Sequence, residues 1–200
     1  MRRIIFVLLC IVSSTFLLAG SAASQVPNDP VYMRTQDGYK GFFPHGDEYA
    51  QYLLAGPKVK LQDPYHVLLN PGLGVMVTFA DKRQFPAGKD LLASHLEWEL
   101  EYWRKHASRV ESAARDDLSG GRTDLRVTEL TLYNPQGQSM KVCLMALASK
   151  EGVFVLSISP VDGSTDSLVR DLAASFVLVH KTLDAGEIKR LSAAEKAAAR

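Results

Sequence analysis

The sequence predicts an α+β fold: an antiparallel β-sheet, built from a hairpin and a meander, packed by a long helix and a C-terminal helix. Three observations lead there. Within Asp90 to Ser108, Leu92, Leu96, Leu100, Trp103 and Ala107 recur every three or four residues, which is one apolar helical stripe. From Arg109 to Ser159 the periodicity changes to two, in runs joined by the turn-like segments Ser119-Gly120-Gly121, Asn134-Pro135-Gln136-Gly137 and Lys150-Glu151-Gly152. A second stripe, Leu168, Leu172 and Phe176, follows. Strands joined by short turns pair antiparallel, and the helices around them must bury their stripes against the sheet.

Residues 1–24 read as a secretory signal peptide. Met1-Arg2-Arg3 is basic, Ile4 to Ala19 is almost wholly apolar, and Gly20 to Ser24 is a run of small residues, offering cleavage after Ala23 or Ser24. The apolar run falls short of the roughly 20 residues a spanning helix needs, with an uncleaved anchor as the alternative. Ser21 stands where a lipoprotein would carry its Cys, so the expected product is periplasmic or secreted, with no lipid anchor and no membrane span after cleavage.

Residues 25–44, rich in Pro, Asn, Asp and Gly, read as an extended arm leading into a single domain at 45–180. Glu48 to Ala55 reads as a short helix, ended by Gly56-Pro57. Tyr65 to Leu69 and Leu73 to Ala80 flank Asn70-Pro71-Gly72 and form a hairpin. The meander strands are Arg109 to Leu118, Asp124 to Tyr133, Met140 to Ser149 and Val153 to Ser159. The apolar parity of the second switches between Val127 and Leu130, which suggests a β-bulge near Thr128-Glu129. Ser164 or Thr165 caps the last helix. Residues 181–200 read as a polar helical or disordered tail, with only Ile188 and Leu191 to bury.

From about Tyr65 to Val179 this order of elements, with the closing Leu172-Ala173-Ala174-Ser175-Phe176 helix, resembles the PsbP-like fold superfamily. The resemblance implies an accessory or binding module without catalysis, and it carries no set of functional residues onto this chain.

Composition narrows the chemistry. Lys and Arg number 23 against 22 Asp and Glu, so there is no field to attract phosphate, and nucleic acid is excluded as a partner. Cys10 leaves with the leader, making Cys143 the one thiol of the exported chain. It sits mid-strand among apolar neighbours, as an inert packed thiol does, with intermolecular pairing the alternative. His45, His66, His95, His106 and His180 form neither a His-x-His pair nor a His-Glu-x-x-His helix, so no catalytic or metal residue is assigned. Gly72-Leu73-Gly74 and Ser119-Gly120-Gly121 lack the remainder of any nucleotide motif, and no cofactor is expected. Arg109, Arg115, Arg122 and Arg126, interleaved with Glu111, Asp116, Asp117 and Asp124, read as a mixed solvated face.

One pattern remains. His95, Trp98, Tyr102 and His106 lie three, four and four apart, on a stripe turned away from the Leu92/Leu96/Trp103 face. Such a stripe is either covered by the N-terminal segment or exposed as a surface for a protein partner or an apolar ligand. The functional expectation is an exported, non-catalytic accessory or binding protein of the bacterial cell envelope. The alternatives are a small periplasmic hydrolase or thiol-dependent transferase, or a subunit of an envelope complex.

Overall fold

The computed structural model describes residues 29–56, 58–70, 72–184 and 186–190. The leader, residues 25–28 of the arm and residues 191–200 of the tail lie outside the described residues. Thirteen elements follow one another: β1 (Val31–Arg34), β2 (Gly38–His45), β3 (Glu48–Ala55), β4 (Lys60–Leu61), β5 (His66–Asn70), β6 (Leu73–Asp81), α1 (Leu91–His106), β7 (Arg109–Ala114), β8 (Leu125–Tyr133), β9 (Ser139–Ala148), β10 (Gly152–Ser159), α2 (Asp166–Ser175) and β11 (Val177–Val179). The class is α+β. The strands form a seven-stranded sheet in the order β4-β5-β6-β10-β9-β8-β7 and a four-stranded sheet in the order β1-β2-β3-β11. Every pairing in both is antiparallel.

The hairpin closes with Asn70 opposite Leu73, and the meander β7-β8-β9-β10 runs in unbroken order to pair with β6. Strand alternation sends Val75, Val77, Cys143, Met145, Phe154, Leu156 and Ile158 to one face of the large sheet. There they pack against Phe43, Ala50, Tyr52 and Leu54 of the small sheet and Val169, Leu172 and Phe176 of α2. The opposite parity, including Leu130, Leu132, Val142, Leu144, Val153 and Val155, meets Leu92, Leu96, Leu100 and Trp103 of α1. The two helices therefore shield the same sheet from opposite faces.

Four local expectations are corrected. Residues 31–45 are not an arm outside the domain but β1 and β2, because Phe42 and Phe43 alternate into two different cores. Glu48–Ala55 is a strand and not a short helix. Its Ala50, Tyr52 and Leu54 face the large sheet, and the hairpin with β2 turns through Gly46 at φ 62°. No bulge interrupts β8, whose register with β9 is continuous from Leu125 to Tyr133. Its parity switches because the Leu125 end is buried against the small-sheet side and the Leu132 end beneath α1. Thr165 stands at the N-cap of α2 but makes no side-chain cap bond there; the side-chain cap comes from Asp162 on the single 3-10 turn Gly163–Thr165 ahead of it, reciprocated by Thr165 in a capping box.

The start of the tail is docked as well. Leu183 is buried with Met33, Phe42 and Tyr49, Ile188 packs against them, and residues 186–190 are helical. Two of the four arginines read as a solvated face, Arg115 and Arg122, instead clamp α2 to the sheet. Arg115 bridges Asp117, Glu129 and Asp166, while Arg122 donates to the carbonyls of Ala173 and Phe176 at 2.9 and 2.6 Å. No helix among the described residues is long and apolar enough to cross a membrane.

Candidate aromatic surface on helix α1

Helix α1 begins at Asp90, whose carboxylate accepts the Ala93 N–H at 2.6 Å, and ends in Arg104, Lys105 and His106, cations that complement the helix dipole. Leu92, Leu96, Leu100 and Trp103 hold it to the sheet. Because a helix is wider than one stripe, the residues beside these anchors are only partly covered by the sheet below.

The four stripe residues do come together. His95 and Trp98 have ring centroids 6.2 Å apart, Trp98 and Tyr102 stack at 6.2 Å with an interplanar angle of 18°, and Tyr102 and His106 stack at 4.3 Å. The Nδ1–H of His106 donates to the Tyr102 carbonyl at 2.7 Å, which fixes its ring over the tyrosine. The N-terminal segment does not cover them, being committed to the small sheet on the other side of the molecule. Trp98 is 45% exposed and, with Leu53, is one of two large apolar side chains exposed among the described residues.

The stripe is not uniform. His95 is 2% exposed and meets Phe85 edge-on at 6.2 Å, so it anchors the stripe rather than presenting itself to solvent. Burial lowers its imidazole to about 4. Its Nε2 lies 3.6 Å from Glu99 Oε1, beyond hydrogen-bond length, and the Glu99 side chain is only 14% exposed. Burial raises the Glu99 carboxyl to about 7, while the nearby Trp103 indole pulls the other way. That indole N–H falls short of hydrogen-bonding geometry, and it and the Ser94 hydroxyl are buried without a partner among the described residues.

Two readings of the His95–Glu99 contact compete. An ion pair would bury two charges joined by a single contact too long for a hydrogen bond, and desolvation outweighs that attraction. A neutral acid facing a neutral imidazole is the favoured state.

Glu99, Phe85 and Ser94 are not among the residues the sequence singles out. Glu99 was legible in principle: it occupies a position three after Leu96 and four before Trp103, where a core-facing apolar residue belongs. Phe85 comes from the loop after β6, and nothing local in sequence ties it to α1.

The other candidates lie apart. Cys143 is 2% exposed between the sheets, its thiol pushed up to about 12 by burial. His45 stacks on Phe79, His66 pairs with Asp63, and His180 donates from Nδ1 to the buried Glu48. Among the described residues no three His, Cys, Asp or Glu side chains converge as a metal site requires. Comparison with protein-family models, curated proteins and solved structures gave no match.

Proposed function

We propose that the protein is an exported, non-catalytic binding module of the bacterial cell envelope, engaging a protein partner or an apolar ligand through Trp98, Tyr102 and His106. The observation that carries this reading is the 45% exposure of Trp98 within a three-ring stack on a well-anchored helix. Apolar surface left in water is costly to keep unless something covers it in use, and Trp and Tyr are the residues most enriched where partners bind. The resemblance to the PsbP-like superfamily supports the same reading. The rival thiol enzyme needs a reactive cysteine beside an imidazole, whereas Cys143 is buried with Arg115, Glu129 and Asp166 as its charged neighbours.

The test compares wild type with Trp98→Ala and Lys89→Ala in affinity capture from envelope extract, alongside titration with anilinonaphthalene sulfonate. A species retained by wild type and Lys89→Ala but lost by Trp98→Ala, or dye binding lost in the same pattern, supports the proposal. Identical behaviour of all three overturns it.

A further inference from the structure

A sheet edge exposes unpaired backbone donors and acceptors, and proteins that stay monomeric blunt such edges. Among the described residues three of the four sheet edges are short: β4 has two residues, β11 three and β1 four. The fourth, β7, has six, Arg109-Val110-Glu111-Ser112-Ala113-Ala114, all exposed except the half-buried Val110. It contains no proline, lysine or bulge, its register with β8 being continuous throughout.

The ladder shows which groups are open. Arg115 N–H donates to Val127 O at 3.0 Å, continuing the register in which Ala114 faces Thr128. Antiparallel bonding alternates along a strand, so residues 111, 113 and 115 direct their backbone groups to β8, while at the strand's start the Ser108 N–H reaches Tyr133 O at 2.9 Å. The N–H and C=O of Val110, Ser112 and Ala114 point the other way, and no described residue pairs with them.

We propose that β7 pairs antiparallel with β7 of a second copy about a two-fold axis at Ser112, joining the two large sheets edge to edge. With Ser112 opposite Ser112 and Val110 opposite Ala114, every outward N–H and C=O of residues 110, 112 and 114 finds a partner. Small side chains at 112–114 let the strands approach. The charges select a second copy over a foreign strand. The strand is entered past Arg104, Lys105 and Arg109, the latter two exposed beside Glu101 and Glu111, and left through Asp116 and Asp117, so antiparallel pairing lays the basic entry of one copy along the acidic exit of the other. Arg109 comes opposite Arg115 of the second copy, whose charge is already countered by Asp117, Glu129 and Asp166.

Sedimentation equilibrium of the purified protein from about 1 to 200 μM tests this, a span chosen because so small a strand interface gives at most micromolar affinity. Wild type is expected to dimerise in that range, more weakly as salt rises. Ser112→Pro removes only an outward N–H, a position an edge strand tolerates, and is expected to raise the dimer Kd by about 100-fold or more with the far-UV circular dichroism unchanged. Ser112→Glu, an exposed change that sets two carboxylates opposite each other across the axis, is expected to weaken the dimer and serves if the proline variant fails to fold. A wild-type monomer at 200 μM, a dimer equally tight in both folded variants, or a β7 edge occupied by a different protein overturns the proposal.

Discussion

The buried pair on α1 makes a prediction that separates it from an ion pair by sign. Glu99 rises from 4.5 to about 7, so between those pH values the native state holds a proton that the unfolded chain has lost. Its contribution is therefore unfavourable as pH rises, at roughly 1.4 kcal/mol per pH unit, reaching about 3 kcal/mol above pH 7. His95 falls from 6.5 to about 4, so over that window the unfolded chain gains a proton the native state refuses. Its contribution falls as pH drops, by about the same total. Between pH 4.5 and 6.5 the two slopes oppose each other and nearly cancel, which conceals both in the wild type. Single substitutions uncover them. Relative to wild type, Glu99→Gln is expected to gain about 2 to 3 kcal/mol between pH 5 and 7.5, and His95→Gln to gain a similar amount as pH falls from 6.5 to 4. Urea unfolding followed by circular dichroism at intervals of half a pH unit measures both, and differences from wild type remove the contribution of other groups. Were the pair ionised, each slope would reverse. Flat differences would mean that neither group is desolvated in solution.

Three further outcomes follow from the core. Phe154, 1% exposed and edge-on to Phe43 and Phe79, joins the two sheets. Phe154→Ala is expected to cost about 3 to 5 kcal/mol by urea denaturation, and a loss below about 1 kcal/mol would contradict that packing. A Cβ on Gly41 would run into the Tyr52 ring, so Gly41→Ala is expected to destabilise by about 1 to 3 kcal/mol in the same assay. Cys143 is expected to resist Ellman's reagent at pH 8 in the native protein and to react fully in guanidinium, native labelling being the contrary result.

What was legible in the sequence was what local chemistry alone decides. The Asn70-Pro71-Gly72 sequence signals the β5-β6 hairpin, Asp90 begins α1, and short turns join β8 to β9 and β9 to β10, while ten residues connect β7 to β8. What was missed depended on partners distant in sequence. Tyr49, Tyr52 and Leu53 fit a helical spacing, but Ala50, Tyr52 and Leu54 fit a strand equally well, and pairing with β2 decides between them. A local signal does exist, since Gly46-Asp47 is a two-residue hairpin loop between His45 and Glu48. The β8 parity switch is real, but its cause is not the expected bulge. A bulge resets parity on a sheet with one buried face, whereas this sheet has two, each covered over a different stretch of the same strand.

The same two-sidedness explains why the candidate surface exists. A sheet buried only by the small sheet and α2 would leave Leu130, Leu132, Val142 and Leu144 in water, so α1 has to cover them. Covering them takes one stripe of α1, and the flank beside that stripe is left over. Polar residues on that flank would leave the anchors Leu92, Leu96, Leu100 and Trp103 in place. The chain instead places four rings there, sets the innermost against Phe85, and leaves Trp98 turned outward on Tyr102. Stability of the fold does not by itself call for that choice, which is why the proposed binding surface is placed on this flank of α1.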